Sequence, residues 1–183
     1  MTSRAVVLAV AVVALAACGG GESPPPAPTR VPADLVPERL LDDTLGVFEN
    51  RDEATLEIFA NAGPASLVAD TRVWEIRRGD RLVATLQIST VKPEVDLLDE
   101  DVRERFAAQL IVGQSSRFRS GDVEVFTATA EDKTIFLWFA SNLYEVMQTK
   151  DRELDPERLL EELVEHQESA EGWEPLPELV DFE

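Results

Sequence analysis

The chain has 183 residues with 36 Asp+Glu against 17 Lys+Arg, a formal net charge of −19, one histidine and one cysteine. That balance excludes a nucleic-acid binder, which needs basic groups to neutralise phosphates, and a domain lying flat on anionic lipid. A single cysteine excludes an intramolecular disulfide, so the fold must hold by core packing alone.

The first element is an unbroken apolar run, Ala5 to Ala17 (AVVLAVAVVALAA), preceded by one positive charge, Arg4. Its 13 residues match a signal-peptide core and fall short of the ~20 needed to span a bilayer. The run ends in Leu15-Ala16-Ala17-Cys18. Leucine suits an apolar protease subsite, two small residues let the peptide lie extended, and the thiol is a soft nucleophile. This stretch resembles the lipobox of bacterial lipoproteins. The resemblance implies a diacylglyceryl thioether on Cys18, cleavage before that residue, often acylation of the freed amine (palmitate among the chains), and a place on the outer face of the cell membrane. Ala14-Leu15-Ala16 also fits an ordinary secretory cleavage site, which would leave Cys18 as a free thiol. Two or three acyl chains anchor durably where one binds only marginally.

Residues 18–34 follow as a tether. Gly19 to Pro32 (GGGESPPPAPTRVP) holds five prolines and three glycines with no apolar periodicity, a composition that favours extended polyproline II at ~3.1 Å per residue. Once Arg4 leaves with the signal, 16 basic residues face 36 acidic ones, a net of −20. Solubility and mutual repulsion account for that charge; a basic partner or loosely held divalent cations are the sharper alternative.

A single α+β domain is expected over 35–168. Thr44 to Phe48 reads as an edge strand. Asp52-Glu53-Ala54 opens a short helix with Leu56, Phe59 and Ala60 on one side, closed by Gly63-Pro64. Thr71 to Val91 alternates with period two on both sides of Gly79-Asp80: Trp74 and Ile76 share a face, and Leu82, Ala84, Leu86 and Ile88 alternate with Val83, Thr85, Gln87 and Ser89. That is a β-hairpin. Its Arg78-Gly79-Asp80 turn matches an integrin-attachment tripeptide, although a glycine turn needs no such role.

Asp99 is a good N-cap for a second helix with Val102, Phe106, Ala107 and Leu110 as its apolar stripe, closed by Gly113. The acids Asp96, Asp99, Glu100, Asp101 and Glu104 lack the alternating pattern of a calcium loop and suit the helix dipole instead, so no metal site is expected. Gly121 to Lys150 splits at Glu131-Asp132 and Ser141-Asn142 into three short strands, the middle one (Thr134 to Phe139) apolar on both faces. Asp155-Pro156 starts a final helix with Leu159, Leu160, Leu163 and Val164 as its stripe. The expected architecture is an antiparallel twisted sheet of five to six strands packed with two to three helices. In outline this resembles sandwiches of the PsbP-like kind and the small ectodomains of actinobacterial lipoproteins.

The acidic tail, 169–183, interleaves Trp173, Leu176, Leu179, Val180 and Phe182 with acids. It either docks a partner as a disordered segment or folds back over the sheet. No catalytic residue is expected: His166 is the sole imidazole, the thiol is consumed by lipidation, and no serine sits in a G-x-S-x-G elbow. No cofactor is expected either. Two functions remain: a lipid-anchored, non-catalytic interaction or structural module engaging an envelope protein, or a binder of an apolar ligand such as a lipid. The binder would use a cavity between sheet and helices lined by Trp74, Phe106, Phe136, Trp138 and Phe139.

Overall fold

A computed structural model describes residues 30–179 apart from 62–63, 112–113, 131–132 and 152. The expected signal peptide, Cys18 and most of the expected tether lie outside the described residues, as do Gly63, Gly113 and residues 180–183.

Eight strands form one antiparallel sheet: β1 (Arg39–Leu40), β2 (Leu45–Asn50), β3 (Val68–Arg78), β4 (Arg81–Val91), β5 (Ser115–Ser120), β6 (Val123–Ala130), β7 (Lys133–Ala140) and β8 (Leu143–Thr149). Their order across the sheet is β1-β2-β3-β4-β8-β7-β6-β5. Two four-stranded meanders are therefore joined along β4 and β8, with Ala84 opposite Thr149 and Thr90 opposite Leu143 at the ends of the seam. Among the described residues the helices are α1 (Glu53–Ala60), α2 (Glu100–Leu110) and α3 (Pro156–Glu168), with one 3-10 turn over Ala65–Leu67.

The expected sheet of five to six strands is thus corrected to eight. The two additional strands carry little apolar alternation. β1 is only two residues long, and β5 reads SSRFRS with four exposed positions. An edge strand is half solvated, so its residues need not alternate between apolar and polar. β1 also displaces β2 from the sheet edge.

A second correction concerns the hairpin. Ile76 faces Ala84 while Arg77 faces Leu82, so Val83 is an extra residue in β4. The bulge reverses the alternation: Val83 is fully buried and Leu82, expected inward, is half-buried. Gly79 turns the hairpin with φ +58°, a region glycine enters without steric cost.

Both faces of the sheet are covered. On one, α3 lays Leu159, Leu160, Leu163 and Val164 against Ile76, Leu86, Ile88, Phe136, Trp138 and Met147. On the other, α2 lays Phe106, Ala107 and the adjoining Ile111 against Phe126, Leu137, Phe139, Tyr144 and Val146. β7 lies beneath both helices, which its two apolar faces require. Each helix starts at an aspartate whose side chain accepts a backbone N–H: Asp52 from Thr55, Asp99 from Asp101 and Asp155 from Arg158. Packing begins ahead of Leu35. Val31 is 5% exposed and its N–H donates to Asp70 at 3.0 Å.

Leu163 is fully buried in the α3 stripe whereas Ile58 on α1 is 71% exposed. Leu163→Ala is expected to cost about 2–5 kcal/mol of unfolding free energy in urea titrations. Ile58→Ala should stay within about 0.5 kcal/mol of the parent, and comparable losses at both positions would contradict this packing.

Candidate functional site

Leu15, Ala16, Ala17 and Cys18 lie outside the described residues. The five aromatic residues expected to line one cavity are divided between the two faces. Trp74, Phe136 and Trp138 belong to the α3 side, Phe106 and Phe139 to the α2 side, and none exceeds 5% exposure. Phe106 meets Phe139 edge-on at 6.2 Å and Tyr144 at 5.3 Å between ring centres. Phe136 meets Phe118 edge-on at 6.0 Å. Such pairs fill space rather than enclose it. Trp74 carries the Arg72 guanidinium 5.1 Å above its ring, and Arg72 is held in turn by Glu49.

The most perturbed group in the described chain is one that alternation places inward. Leu143 and Met147 face the α3 core, and Glu145 falls between them on the same face of β8. It is fully buried. Trp138 on β7 and Ile88 on β4 flank it in register. Two donors end on its carboxyl, one of them held by a third. Trp138 Nε1 donates to Gln167 Oε1 at 3.3 Å, Gln167 Nε2 donates to Glu145 Oε2 at 2.6 Å, and Trp173 Nε1 donates to Glu145 Oε1 at 3.3 Å. Burial pushes the Glu145 carboxyl up to about 7, because desolvation outweighs the three donors that favour the ionised form. This carboxyl has no exposed surface in the folded chain. It joins β8, β7, α3 and the segment after α3.

That segment runs from one face of the sheet to the other. Trp173 is in the α3 core, while Leu176 and Leu179 pack with the α2 core. Between them Pro175 bridges Ala140 at the end of β7. Ser141, in the β7–β8 turn at φ +50°, is held by it on three sides: Ser141 N–H donates to Glu174 O at 2.8 Å, Glu174 N–H to Ser141 Oγ at 2.9 Å, and Ser141 Oγ to Gly172 O at 2.9 Å. Further on, Arg103 of α2 donates to Pro177 O, Arg119 pairs with Glu178, and Leu179 N–H donates to Glu124 Oε2 at 3.2 Å. Arg103 is 2% exposed and its Nε has no partner among the described residues. Desolvation lowers its pKa from the usual guanidinium value.

Open concave surface flanks α2, and a further hollow of about 340 Å³ lies between α1 and β3 by Leu56 and Thr71. A groove of about 630 Å³ between α2 and the β5–β6 edge is lined by Glu104, Ala107, Ala108, Ile111, Ser115, Ser116, Arg117 and Phe126. A second, of about 330 Å³, lies between α2 and the loops around Pro64, Leu67 and Val95. β5 is the outermost strand, a geometry in which an extended segment can add to a sheet and place side chains against a neighbouring helix.

The remaining sequence features have local structural partners. The Asp96 side chain accepts the Leu98 N–H and that of Asp99 the Asp101 N–H, and no group of three or more metal-ligating side chains occurs among the described residues. His166 Nε2 lies 2.9 Å from Asp34 O. Arg78 pairs with Asp151 at 3.6 Å, and Arg77 donates to the Asp80 carbonyl at 3.0 Å. Glu145 is not singled out by the sequence; the tail residues Trp173, Leu176 and Leu179 are, and over its described part the tail folds back onto the sheet rather than standing free. The readable signal was an acid at an inward position of a strand that is otherwise apolar there. Comparison with protein-family models, curated proteins and solved structures finds no match to this chain.

A carboxyl raised from its ordinary value near 4.5 to about 7 binds its proton more tightly folded than unfolded. Its contribution is therefore most favourable below pH 4.5 and is lost as pH rises to about 7, by on the order of 3 kcal/mol. Glu145→Gln should remove that slope from the pH dependence of urea unfolding. An unchanged slope would assign it to other groups.

Proposed function

We propose that the protein is a lipid-anchored, extracytoplasmic and non-catalytic interaction module of the cell envelope, held at the outer face of the membrane by a diacylglyceryl group on Cys18. The register of Leu15-Ala16-Ala17-Cys18 behind a short apolar run supports the anchor. No described helix is long and apolar enough to cross a membrane. The observation that favours interaction over carriage of an apolar ligand is the division of the aromatic set. Trp74, Phe136 and Trp138 pack under α3 while Phe106 and Phe139 pack under α2, so the five do not line one cavity, and of them Phe106 reaches a groove beside α2. Catalysis is disfavoured because the one strongly displaced carboxyl is sealed. The α2 side, with its larger groove and the outer strand β5, is the surface assigned to an envelope protein partner.

Cys18→Ser is expected to move the protein from the membrane fraction to the soluble fraction and to abolish palmitate labelling. A photo-crosslinking residue at Ala108 or Ser116, both exposed beside the larger groove, should capture one discrete protein in native membranes. The same residue at exposed Glu157 on α3 should not. Stoichiometric lipid released from the purified protein, with no groove-specific cross-link, would favour the carrier instead.

A further inference from the structure

The segment after α3 is secured at three places with different chemistry. Its start is an indole hydrogen-bonded to a buried carboxyl, its middle clasps the Ser141 turn, and its end lies on α2 and β5–β6 through Arg103, Arg119 and Glu124. Leu176 and Leu179 at that end share a cluster with Ile111 and Phe126, which line the larger groove. Whatever loosens Trp173 at one end therefore acts on a segment whose other end packs beside the proposed contact surface.

We propose that Trp173–Leu179 is a proton-controlled strap: with Glu145 neutral it stays seated from the α3 core across the sheet end onto α2, and with Glu145 ionised it lifts, releasing Arg103 and baring the part of the α2 core under Leu176 and Leu179 to the envelope protein assigned to the α2 side. This rests on the α2 side being the contact surface. The physical cause is desolvation. Trp173 covers Glu145, so releasing the strap admits water to the carboxyl and favours its charged form. Burial holds the seated carboxyl at about 7, whereas a hydrated one returns toward its ordinary range. Protonation and seating therefore favour one another, and reciprocally.

No described charge competes for this role. β7 presents the Trp138 indole and β4 presents Ile88 to Glu145. From α3 it meets Gln167, while His166 is turned to the Asp34 carbonyl and Glu168 to the Asp122 N–H. Arg72 lies two strands away in the same row and is held by Glu49. Of the acids near the strap, Glu171 and Glu174 are exposed, Glu178 pairs with Arg119, and Glu124, which accepts the Leu179 N–H, pairs with Arg117. Gly172, at φ +78° just before the strap, provides a pivot.

The test is fluorine NMR of the full-length protein in detergent, labelled with 5-fluorotryptophan at its three tryptophans, Trp173 being assigned with Trp173→Phe. The ratio of released to seated Trp173 should rise by up to about tenfold per pH unit from pH 5 to 7 and then level off, and Glu145→Gln should abolish the response. A Trp173 resonance that stays seated from pH 5 to 8, or responds equally in Glu145→Gln, overturns the inference. Should Glu145→Gln fail to fold, carboxyl-carbon titration of Glu145 decides. Its apparent pKa should fall toward the ordinary range when Trp173→Ala loosens the strap, and an unmoved value overturns the coupling. Failure of groove-specific cross-linking would instead overturn the contact surface, leaving the strap's own titration to be read independently.

Discussion

The pairing of β4 with β8 is the joint on which the molecule depends. Each meander is locally connected, but the α3 core draws on both, Ile76, Leu86 and Ile88 from one and Phe136, Trp138 and Met147 from the other. Only when Ala84–Thr90 lies against Leu143–Thr149 does one continuous sheet exist for α3 to cover on one side and α2 on the other. Antiparallel sheets ordinarily leave one face to water. This one buries much of both, which explains why β7 is apolar at successive positions and why the aromatic residues divide between two cores.

Covering two faces with three described helices and short connections leaves the ends of the sheet to the terminal segments. Val31 and Leu35 enter the α3 core from the N-terminal side. After α3, the chain crosses the sheet end at Ala140 and Ser141 and reaches the α2 core with Leu179. This crossing joins the two layers without passing through the sheet. It is also where the described fold carries a fully buried carboxyl, since Glu145 meets Gln167 and Trp173 where the segment departs. A buried acid of this kind is tolerated because each of its oxygens accepts a donor, yet it remains the least comfortable group in the core. In the proposed function, that discomfort links proton activity outside the membrane to the exposure of a contact surface.

The acidic surface fits the same proposal. A net charge of −19 keeps neighbouring copies apart and disfavours contact with anionic headgroups. A covalent lipid would thus hold at the membrane a domain whose own surface does not seek it. The arginines at the β5 edge have local partners, Arg117 with Glu124 and Arg119 with Asp122 and Glu178, so the strand stays polar and partly guarded against indiscriminate pairing.

Sequence patterning was sufficient for the local elements: the β3–β4 hairpin, the three strands over 123–149, with β7 legible as a run apolar on both faces, and the three helices with their aspartate caps. In all but β7, alternation or a 3.6-residue stripe follows directly from one face meeting the core. The strand count escaped it because β1 is two residues long and β5, an edge strand, is polar on most positions. The Val83 bulge escaped it because a one-residue insertion changes which side chains face inward without changing composition. The proposed site was less legible still. An aromatic set drawn from one chain cannot reveal that its members lie on opposite faces of a sheet, and Glu145 is an ordinary acid until Gln167 and Trp173 arrive from 22 and 28 residues away. The sequence by itself determined the local elements, the charge and the N-terminal pattern, because those depend on neighbours along the chain. Tertiary structure alone decided the two-sided core, the buried carboxyl and the segment that crosses between layers, because desolvation depends on which distant residues exclude the water.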